Sequence, residues 1–296
     1  MSSVTSYLRG FSIVQATMKK AFVLGGLLII SLLGSAGADE PVPLQLGAAP
    51  KSDGLFAPLL ADPRELQFTL RVAFPEQAMT TAEVAIGHYY GIYRWAIPNG
   101  LGYTQVNIGG GIFPRFNFPN NRDLQVIDFY GNIPFDIRVD KWSGRFMFYH
   151  VSSHLGDDYI RVNNQIAEKN SWNSIRSIVS YDAAPSLRLY GGHTLNLLVH
   201  PSDQKHQAFQ SGFELRSNVF DKSRAQAYWA NDFQWWERTN WKTMFNSQLG
   251  IKSGPEAKYG RGISYFLEFT KGPEYYGQFF THNETRLGVG AKFDID

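Results

Sequence analysis

The feature that most restricts the fold is a series of alternating segments that begins near residue 66 and continues to the end of the chain. Apolar and polar residues alternate along each segment, and this period of two is the side-chain period of a β-strand. Many segments exceed the ~5–6 residues usual in soluble sheets and suit the ~9–11 that a strand needs to cross a membrane. The pattern predicts about twelve strands, at Leu66–Phe74, Ala82–Trp95, Tyr103–Phe116, Leu124–Val139, Arg145–Leu155, Ser171–Tyr181, Leu187–His200, Gln207–Val219, Ala225–Glu237, Lys242–Lys252, Gly262–Thr270 and Glu284–Ile295.

The last segment shows the alternation most clearly. Leu287, Val289 and Phe293 alternate with small or charged residues such as Arg286 and Lys292, which is the lipid-out, lumen-in pattern of a transmembrane strand. Aromatic residues make up 15% of the chain and gather at strand ends, where interfacial girdles are expected. The sequence therefore predicts an all-β fold, a single antiparallel transmembrane β-barrel, with a soluble β-sandwich as the alternative.

The first 38 residues have the composition of a secretory signal peptide. Lys19 and Lys20 precede a short apolar run, and a small-residue sequence ends at Ala38, where we predict cleavage. The apolar run is shorter than the ~20 residues of a membrane-spanning helix. Met18 opens a complete signal by itself and is an alternative start. We predict a flexible periplasmic leader at residues 39–65 and a barrel at residues 66–296.

Charge and cysteine content narrow the list of partners. Cleavage after residue 38 would remove three basic residues and no acidic one, which changes the formal net charge from +2 to about −1. A nearly neutral chain gives no indication of a nucleic-acid partner. The chain has no cysteine, so disulfides and thiolate metal sites are excluded. The expected partners are outer-membrane lipids and, during insertion, the barrel-assembly machinery.

An even number of strands places both chain ends in the periplasm, and periplasmic turns are short. The predicted turns Pro98–Gly100, Asp140–Gly144 and Asp221–Ser223 fit this rule, whereas Gly156–Asn170 and Lys271–Asn283 are longer and suit the extracellular side. The fifth strand therefore runs outward, and its last residues lie near the outer leaflet of the bacterial outer membrane.

The stretch Arg145–Asp158 contains the candidate catalytic residues. On one strand, His150, Ser152 and His154 share a face with Phe148, and Cα atoms two residues apart are about 6.5–7 Å from each other. The imidazole of His150 could thus accept the hydroxyl proton of Ser152. A serine nucleophile needs such a base, and the base needs a third group to orient it. The candidates for that third group are Asp157, Asp158, Asn164 and Asn173.

Two resemblances add to this interpretation. The segments 60–65 and 150–158 resemble an uncharacterised bacterial family of outer-membrane barrels with a Ser-Ser-His-Leu-Gly-Asp-Asp/Glu run, which implies a location and no activity. The His-x-Ser pattern is similar to the lipid-facing active sites of outer-membrane phospholipase A and lipid A 3-O-deacylase. The phospholipase family takes its third residue from a Ser-Trp-Asn run, so the resemblance implies His150 as base, Ser152 as nucleophile and Asn173 as orienting residue. That family has Asn directly after its serine, where this chain has Ser153.

No cofactor is required by these residues. His150 and His154 would be ~13 Å apart on a strand, too far to share one metal ion. The Asp157–Asp158 pair could bind Ca²⁺ through carboxylate oxygens, although a solvated acidic loop explains it as well. Two functions remain open at this stage. One is a lipid acyl hydrolase of the outer leaflet, and the other is a non-enzymatic channel or structural surface protein.

Overall fold

The computed structural model describes residues 54–76, 78–118, 123–166, 168–218, 225–253 and 262–294. The predicted signal peptide and the first part of the predicted leader, residues 39–53, lie outside the described residues. The tight turn predicted after the eighth strand, Asp221–Ser223, also lies outside them.

The described residues form twelve strands that close into one antiparallel barrel, with the first strand paired to the last. The predicted all-β barrel is therefore confirmed. In chain order the strands are β1 (Phe68–Pro75), β2 (Thr81–Ile97), β3 (Gly102–Asn117), β4 (Leu124–Val139), β5 (Trp142–Leu155), β6 (Asn170–Ala184), β7 (Leu187–His200), β8 (Gln207–Asn218), β9 (Ala225–Trp236), β10 (Thr243–Ser253), β11 (Gly262–Pro273) and β12 (Asn283–Asp294).

The wall of the barrel is apolar outside and polar inside. In β12, Leu287 is 62% exposed on the outer face, whereas its neighbour Arg286 is 1% exposed and points into the lumen. The same contrast runs around the other strands, with exposed Leu, Ile, Val and Phe outside and buried Arg, Glu, Asp, Asn and Gln inside. A soluble protein has the opposite polarity, so this wall suits a lipid environment.

Turn chemistry sets the two ends of the barrel. Between β2 and β3, Asn99 and Gly100 adopt positive φ angles of 62° and 68°, as the central residues of a tight hairpin turn require. The connections on the opposite end are longer, and the one after β5 contains the helix α1 (Asp157–Asn163), where we predicted only a loop. Among the described residues, no helix is long and apolar enough to span a membrane.

The prediction of a flexible leader through residue 65 is wrong for residues 54–65. These residues enter the lumen together with Leu66 and Gln67, and we call residues 54–67 the inner segment. Most of its side chains are buried, including Leu59 and Ala61. The prediction failed because the segment has no regular period, and only a closed barrel offers it a polar interior to pair with.

Ion pairs and hydrogen bonds connect the inner segment to the wall. Asp62 Oδ2 lies 2.6 Å from Arg176 Nη2, and Arg64 forms a buried ion pair with Asp128. The Leu60 N–H donates to Glu214 across 2.8 Å. Buried charges are stable only when they are paired, so each of these contacts holds the segment in one position.

A second segment closes the lumen from the other end. The β11–β12 connection, residues 274–282, buries Tyr276 and Phe279, and we call it the mouth loop. The guanidinium of Arg64 lies 4.7 Å from the centre of the Tyr276 ring. The mouth loop and the inner segment therefore meet inside the barrel, and together they fill much of its interior.

Candidate active site on the outer wall

The candidate catalytic residues lie on the outer face of β5. His150 and His154 are exposed and Ser152 is partly exposed, whereas the alternate residues Tyr149, Val151 and Ser153 are buried toward the lumen. The exposed Phe148 shares the outer face with them. The period of two in this stretch thus places a polar group of side chains on the apolar wall.

Ser152 contacts an imidazole directly. Its Oγ lies 2.7 Å from Nε2 of His154, a distance at which one of the two groups donates a hydrogen bond to the other. The His154 ring meets the edge of the Phe129 ring on β4, with 5.8 Å between ring centres. A hydroxyl and an imidazole are therefore in contact on the outer face of the barrel.

His150 is paired with Asn173 on the neighbouring strand. The two residues are directly opposite in the β5–β6 register, and His150 Nδ1 lies 2.7 Å from Asn173 Oδ1. An amide oxygen can only accept, so this contact requires the hydrogen on Nδ1. The Nε2 of His150 then carries a lone pair and can accept a proton.

The structure brings together some of the predicted residues and divides them into two pairs. We expected the Ser152 hydroxyl to bond to His150, and in this structure it bonds to His154 instead. His150 and Asn173 do meet. Sequence reasoning considered His154 only as a metal ligand, although its position two residues after Ser152 on the same face was sufficient to suggest a contact.

The other candidates for the third position lie in and around α1, beyond the end of β5. Asp158 pairs with Arg161 at 2.6 Å on the exposed surface of α1. Asp157 is in the first turn of that helix, and Asn164 ends it with a left-handed backbone, at φ 49°. The contact to His150 is therefore made by Asn173, from the wall of the barrel.

The residues around Ser152 do not match a calcium site. Calcium prefers six to eight oxygen ligands, with carboxylates among them. In the part of the chain that the structure describes, no cluster of three or more His, Cys, Asp or Glu residues could hold a metal ion. Asp158 already pairs with Arg161, so the predicted Asp157–Asp158 site gains no further ligand from this arrangement.

Beside His150 the wall has an open place. Gly131 on β4 is directly opposite His150, and a Cβ atom built on Gly131 would meet no other atom within 4 Å. Phe129 and Ile133 border this place on the same face and are exposed. An extended apolar chain, such as a fatty acyl chain, could lie against the wall at Gly131.

The lumen side of the same strand is firmly held. Ser153 donates its hydroxyl hydrogen to Asp128, and Asp128 also accepts the backbone N–H of Gly277 at 3.0 Å. Asp128 is the carboxylate that pairs with Arg64 of the inner segment. One buried carboxylate thus joins β5, the inner segment and the mouth loop directly behind Ser152.

Comparison with known families decides the relationship of the chain. Residues 31–295 match the family described as protein of unknown function (DUF1207), which covers far more than half of the chain. The chain belongs to this family. This membership agrees with the resemblance to an uncharacterised family, and the family description names no activity. A search of curated proteins finds no match.

Solved structures with the same fold are outer-membrane barrels. The outer-membrane phospholipase of Salmonella typhi, a dimer with bound calcium, is 10% identical with a TM-score of 0.51, over 78% of this chain and 93% of its own. The Escherichia coli phospholipase A is 10% identical with a TM-score of 0.49, over 77% of this chain and 92% of its own. The KdgM porin is 10% identical with a TM-score of 0.45, over 78% of this chain and 99% of its own. The similarity to the Salmonella typhi phospholipase shows that the chain has the fold of an outer-membrane barrel.

Proposed function

We propose that this protein is a serine-dependent hydrolase that cleaves acyl esters of lipids in the outer leaflet. The observation that carries the proposal is the 2.7 Å contact between Ser152 Oγ and His154 Nε2 on the lipid-facing wall. A second histidine, His150, lies on the same face with an orienting partner, Asn173. Both polar pairs involve the last part of β5, which the turn lengths predict to be its extracellular half.

In the proposed reaction, Ser152 Oγ attacks the carbonyl carbon of the lipid ester and an imidazole takes the hydroxyl proton. The tetrahedral intermediate expels the alcohol, which leaves with that proton. Water then attacks the acyl-serine by the same route and releases the fatty acid. The three steps are balanced and consume one water molecule for each ester.

We assign the role of base during the reaction to His150. Its Nδ1–H is held by Asn173, which leaves Nε2 ready to accept a proton. His150 and His154 each lie two residues from Ser152, so the strand places both imidazoles at equal distances along the chain. His154 holds the hydroxyl in the state described here, and catalytic hydrogen bonds often form only in the substrate complex.

Two further observations support a function on the outer wall. One solved structure with the same fold, at a TM-score of 0.51, is an outer-membrane phospholipase. The lumen contains the inner segment, whose buried ion pairs fix it to the wall. A non-enzymatic structural or channel role is compatible with the same fold and is the alternative. No step of the proposed reaction passes through calcium, because the residues around Ser152 do not match a site for it.

The test measures fatty-acid release from phospholipid by the purified protein in mixed micelles. We expect Ser152→Ala to abolish release and His150→Ala to lower the rate roughly 10²–10⁴-fold, the usual contribution of a positioned base. Ser177→Ala is the matched control, because Ser177 is an exposed serine of β6 away from the pair. Full release by the Ser152→Ala protein would disprove the proposal.

The same variants identify the base and the lipid. If His154→Ala is inactive while His150→Ala keeps its rate, His154 is the base and the hydrolase proposal stands. Mass spectrometry of outer-membrane lipids from cells with wild-type or Ser152→Ala protein then identifies the substrate. Identical acylation patterns in both would support the non-enzymatic alternative.

A further inference from the structure

A second feature of the extracellular end is a partly buried cation among aromatic rings. Arg238 belongs to the single helical turn Glu237–Thr239 between β9 and β10. Its guanidinium carbon lies 4.9 Å from the ring centre of Trp172, 4.6 Å from that of Trp236 and 4.8 Å from that of Phe280. These rings come from three different parts of the chain, so the fold as a whole places the cation.

Arg238 forms no ion pair with any acidic residue in the described part of the chain, and its buried Nε has no hydrogen-bond partner there. The acidic residues of the same region are engaged elsewhere. The Glu237 carboxylate accepts the backbone N–H of Gln207 at 3.2 Å, and Glu274 pairs with Arg115 at 2.6 Å. Among the described residues, the guanidinium of Arg238 therefore faces aromatic rings and no carboxylate.

Burial lowers the pKa of Arg238 to about 10, and the group is still a cation at neutral pH. A partly buried cation that lacks an acidic partner and lines a pocket is a candidate contact for an anionic ligand. The direction of the pKa shift agrees with the geometry, because it reflects desolvation without an acidic neighbour.

Arg238 lies between an outer pocket and an inner cavity. Outside it is a pocket of about 150 Å³, open to solvent, whose walls include Arg238, Thr239, Asn240, Lys242 and Phe280. On its inner side is a cavity of about 50 Å³, which Arg238 lines together with Arg64 and Arg176. One water needs about 10–15 Å³ on this scale, so both spaces admit groups larger than one water.

The wall of the outer pocket has the chemistry of a sugar and phosphate site. Arg238 and Lys242 are positively charged hydrogen-bond donors, and phosphate oxygens can accept their hydrogen bonds. The Phe280 ring offers an apolar face to a sugar ring, and Thr239 and Asn240 offer polar groups to its hydroxyls. The turn is held by backbone bonds, including Asn240 N to Glu237 O at 2.9 Å.

We propose that the pocket around Arg238 binds a phosphorylated sugar, with the phosphate on Arg238 and Lys242. Such a group occurs either as a free sugar phosphate or as the headgroup of a glycolipid. The site does not depend on hydrolysis by Ser152, because it lies in the extracellular connections and on the lumen side of Trp172.

The test titrates glucose 6-phosphate and glucose into the full-length protein in an uncharged, phosphate-free detergent at constant ionic strength. Tryptophan fluorescence is the readout, because Trp172 and Trp236 lie on the Arg238 guanidinium. We expect a saturable change with glucose 6-phosphate and a dissociation constant about tenfold or more higher for glucose, since the charged hydrogen bonds are lost. Equal binding of the two sugars, or saturation by neither, would overturn the proposal.

Three variants locate the site. Arg238→Gln should weaken glucose 6-phosphate binding about tenfold or more, and Lys242→Gln should weaken it less. Lys242 is exposed, so its replacement tests the pocket even if Arg238→Gln does not fold. Arg161→Gln is the matched control, because it removes an exposed extracellular arginine outside the pocket. If the Lys242→Gln, Arg161→Gln and folded Arg238→Gln proteins all bind glucose 6-phosphate with the same affinity, the assignment is contradicted.

A competition experiment distinguishes the two sources of the ligand. A glycolipid with a phosphorylated sugar headgroup is added to mixed micelles that contain the protein and glucose 6-phosphate. Displacement of glucose 6-phosphate by the glycolipid identifies a lipid headgroup as the ligand. Binding of glucose 6-phosphate without displacement identifies a free sugar phosphate.

Discussion

At the scale of single residues, the candidate active site consists of two hydrogen-bonded pairs on the outer face of β5 and β6. Ser152 bonds to His154, and His150 bonds to Asn173. In the proposed reaction, the first pair supplies the nucleophile and the second supplies the base. A productive complex needs the hydroxyl of Ser152 to exchange one imidazole for the other, which a side-chain rotation about Cα–Cβ can bring about.

Replacing Asn173 tests whether this residue orients the His150 ring without itself contacting the lipid. Asn173→Ala removes the acceptor at His150 Nδ1, and the loss of a hydrogen bond worth about 1 kcal/mol corresponds to a rate about fivefold lower. We expect kcat to fall and KM to stay constant, because Asn173 contacts the base rather than the lipid. Asn173→Asp should recover most of the rate, since a carboxylate accepts the same Nδ1–H. The measurement is steady-state kinetics in mixed micelles, and a change confined to KM would contradict this role.

The open place at Gly131 gives a second residue-scale prediction. Gly131→Val places a side chain in the space opposite His150, where an added Cβ meets no other atom within 4 Å. We expect fatty-acid release to fall at least severalfold while thermal unfolding is unchanged. Gly191→Val is the control, because Gly191 is exposed on β7 and an added Cβ there would come no closer than 3.8 Å to another atom. Equal activity of the two variants would show that the place is not used by substrate.

At the scale of elements, the inner segment supports the strand that carries the site. Asp128 of β4 accepts from Arg64 of the inner segment, from Ser153 of β5 and from Gly277 of the mouth loop. The three elements therefore share one buried carboxylate. The outer face of β5 faces lipid, so the rigidity of the site depends on contacts made on the lumen side.

Breaking this junction should lower stability strongly. Arg64→Met removes the partner of a buried carboxylate, and breaking a buried ion pair typically costs about 3–5 kcal/mol. The free energy of unfolding is measured by urea denaturation in lipid vesicles. Arg161→Met is the control, because Arg161 is 78% exposed and its ion pair should contribute about 0–1 kcal/mol. Similar losses in the two variants would show that the inner segment does not stabilise the barrel.

At the scale of the whole molecule, the barrel has an apolar wall and an occupied interior. The inner segment enters from one end and the mouth loop from the other, and the buried contact of Arg64 with the Tyr276 ring joins them. Among the described residues, the interior includes cavities such as the one of about 50 Å³ lined by Arg64, Arg176 and Arg238. This filling predicts that solutes do not pass freely through the barrel.

Electrical recording tests this view. The full-length protein in a planar lipid bilayer should show no steady ion conductance, because paired charges and aromatic rings occupy the lumen. Deletion of residues 54–65 should produce measurable conductance, since the polar lumen would then be open to water. Discrete open steps from the full-length protein would favour the channel alternative.

The strands could be predicted because their signal is local. Side chains alternate along one strand whatever surrounds it, so Leu287 and Arg286 could be assigned to opposite faces from their positions alone. The same rule placed His150, Ser152 and His154 on one outer face of β5. The number of strands, their antiparallel order and the outer-membrane location followed from this period and from the turn residues.

The tertiary structure decided which groups meet. The contact of Ser152 with His154 depends on side-chain rotamers, and the contact of His150 with Asn173 depends on the β5–β6 register. The inner segment has no period of its own, and its place in the lumen follows from charges such as Asp128 that lie distant in sequence. Sequence by itself determined the strands and their faces because alternation is a property of neighbouring residues. Pairing between distant polar groups needs the closed barrel, because only closure brings them within hydrogen-bond reach.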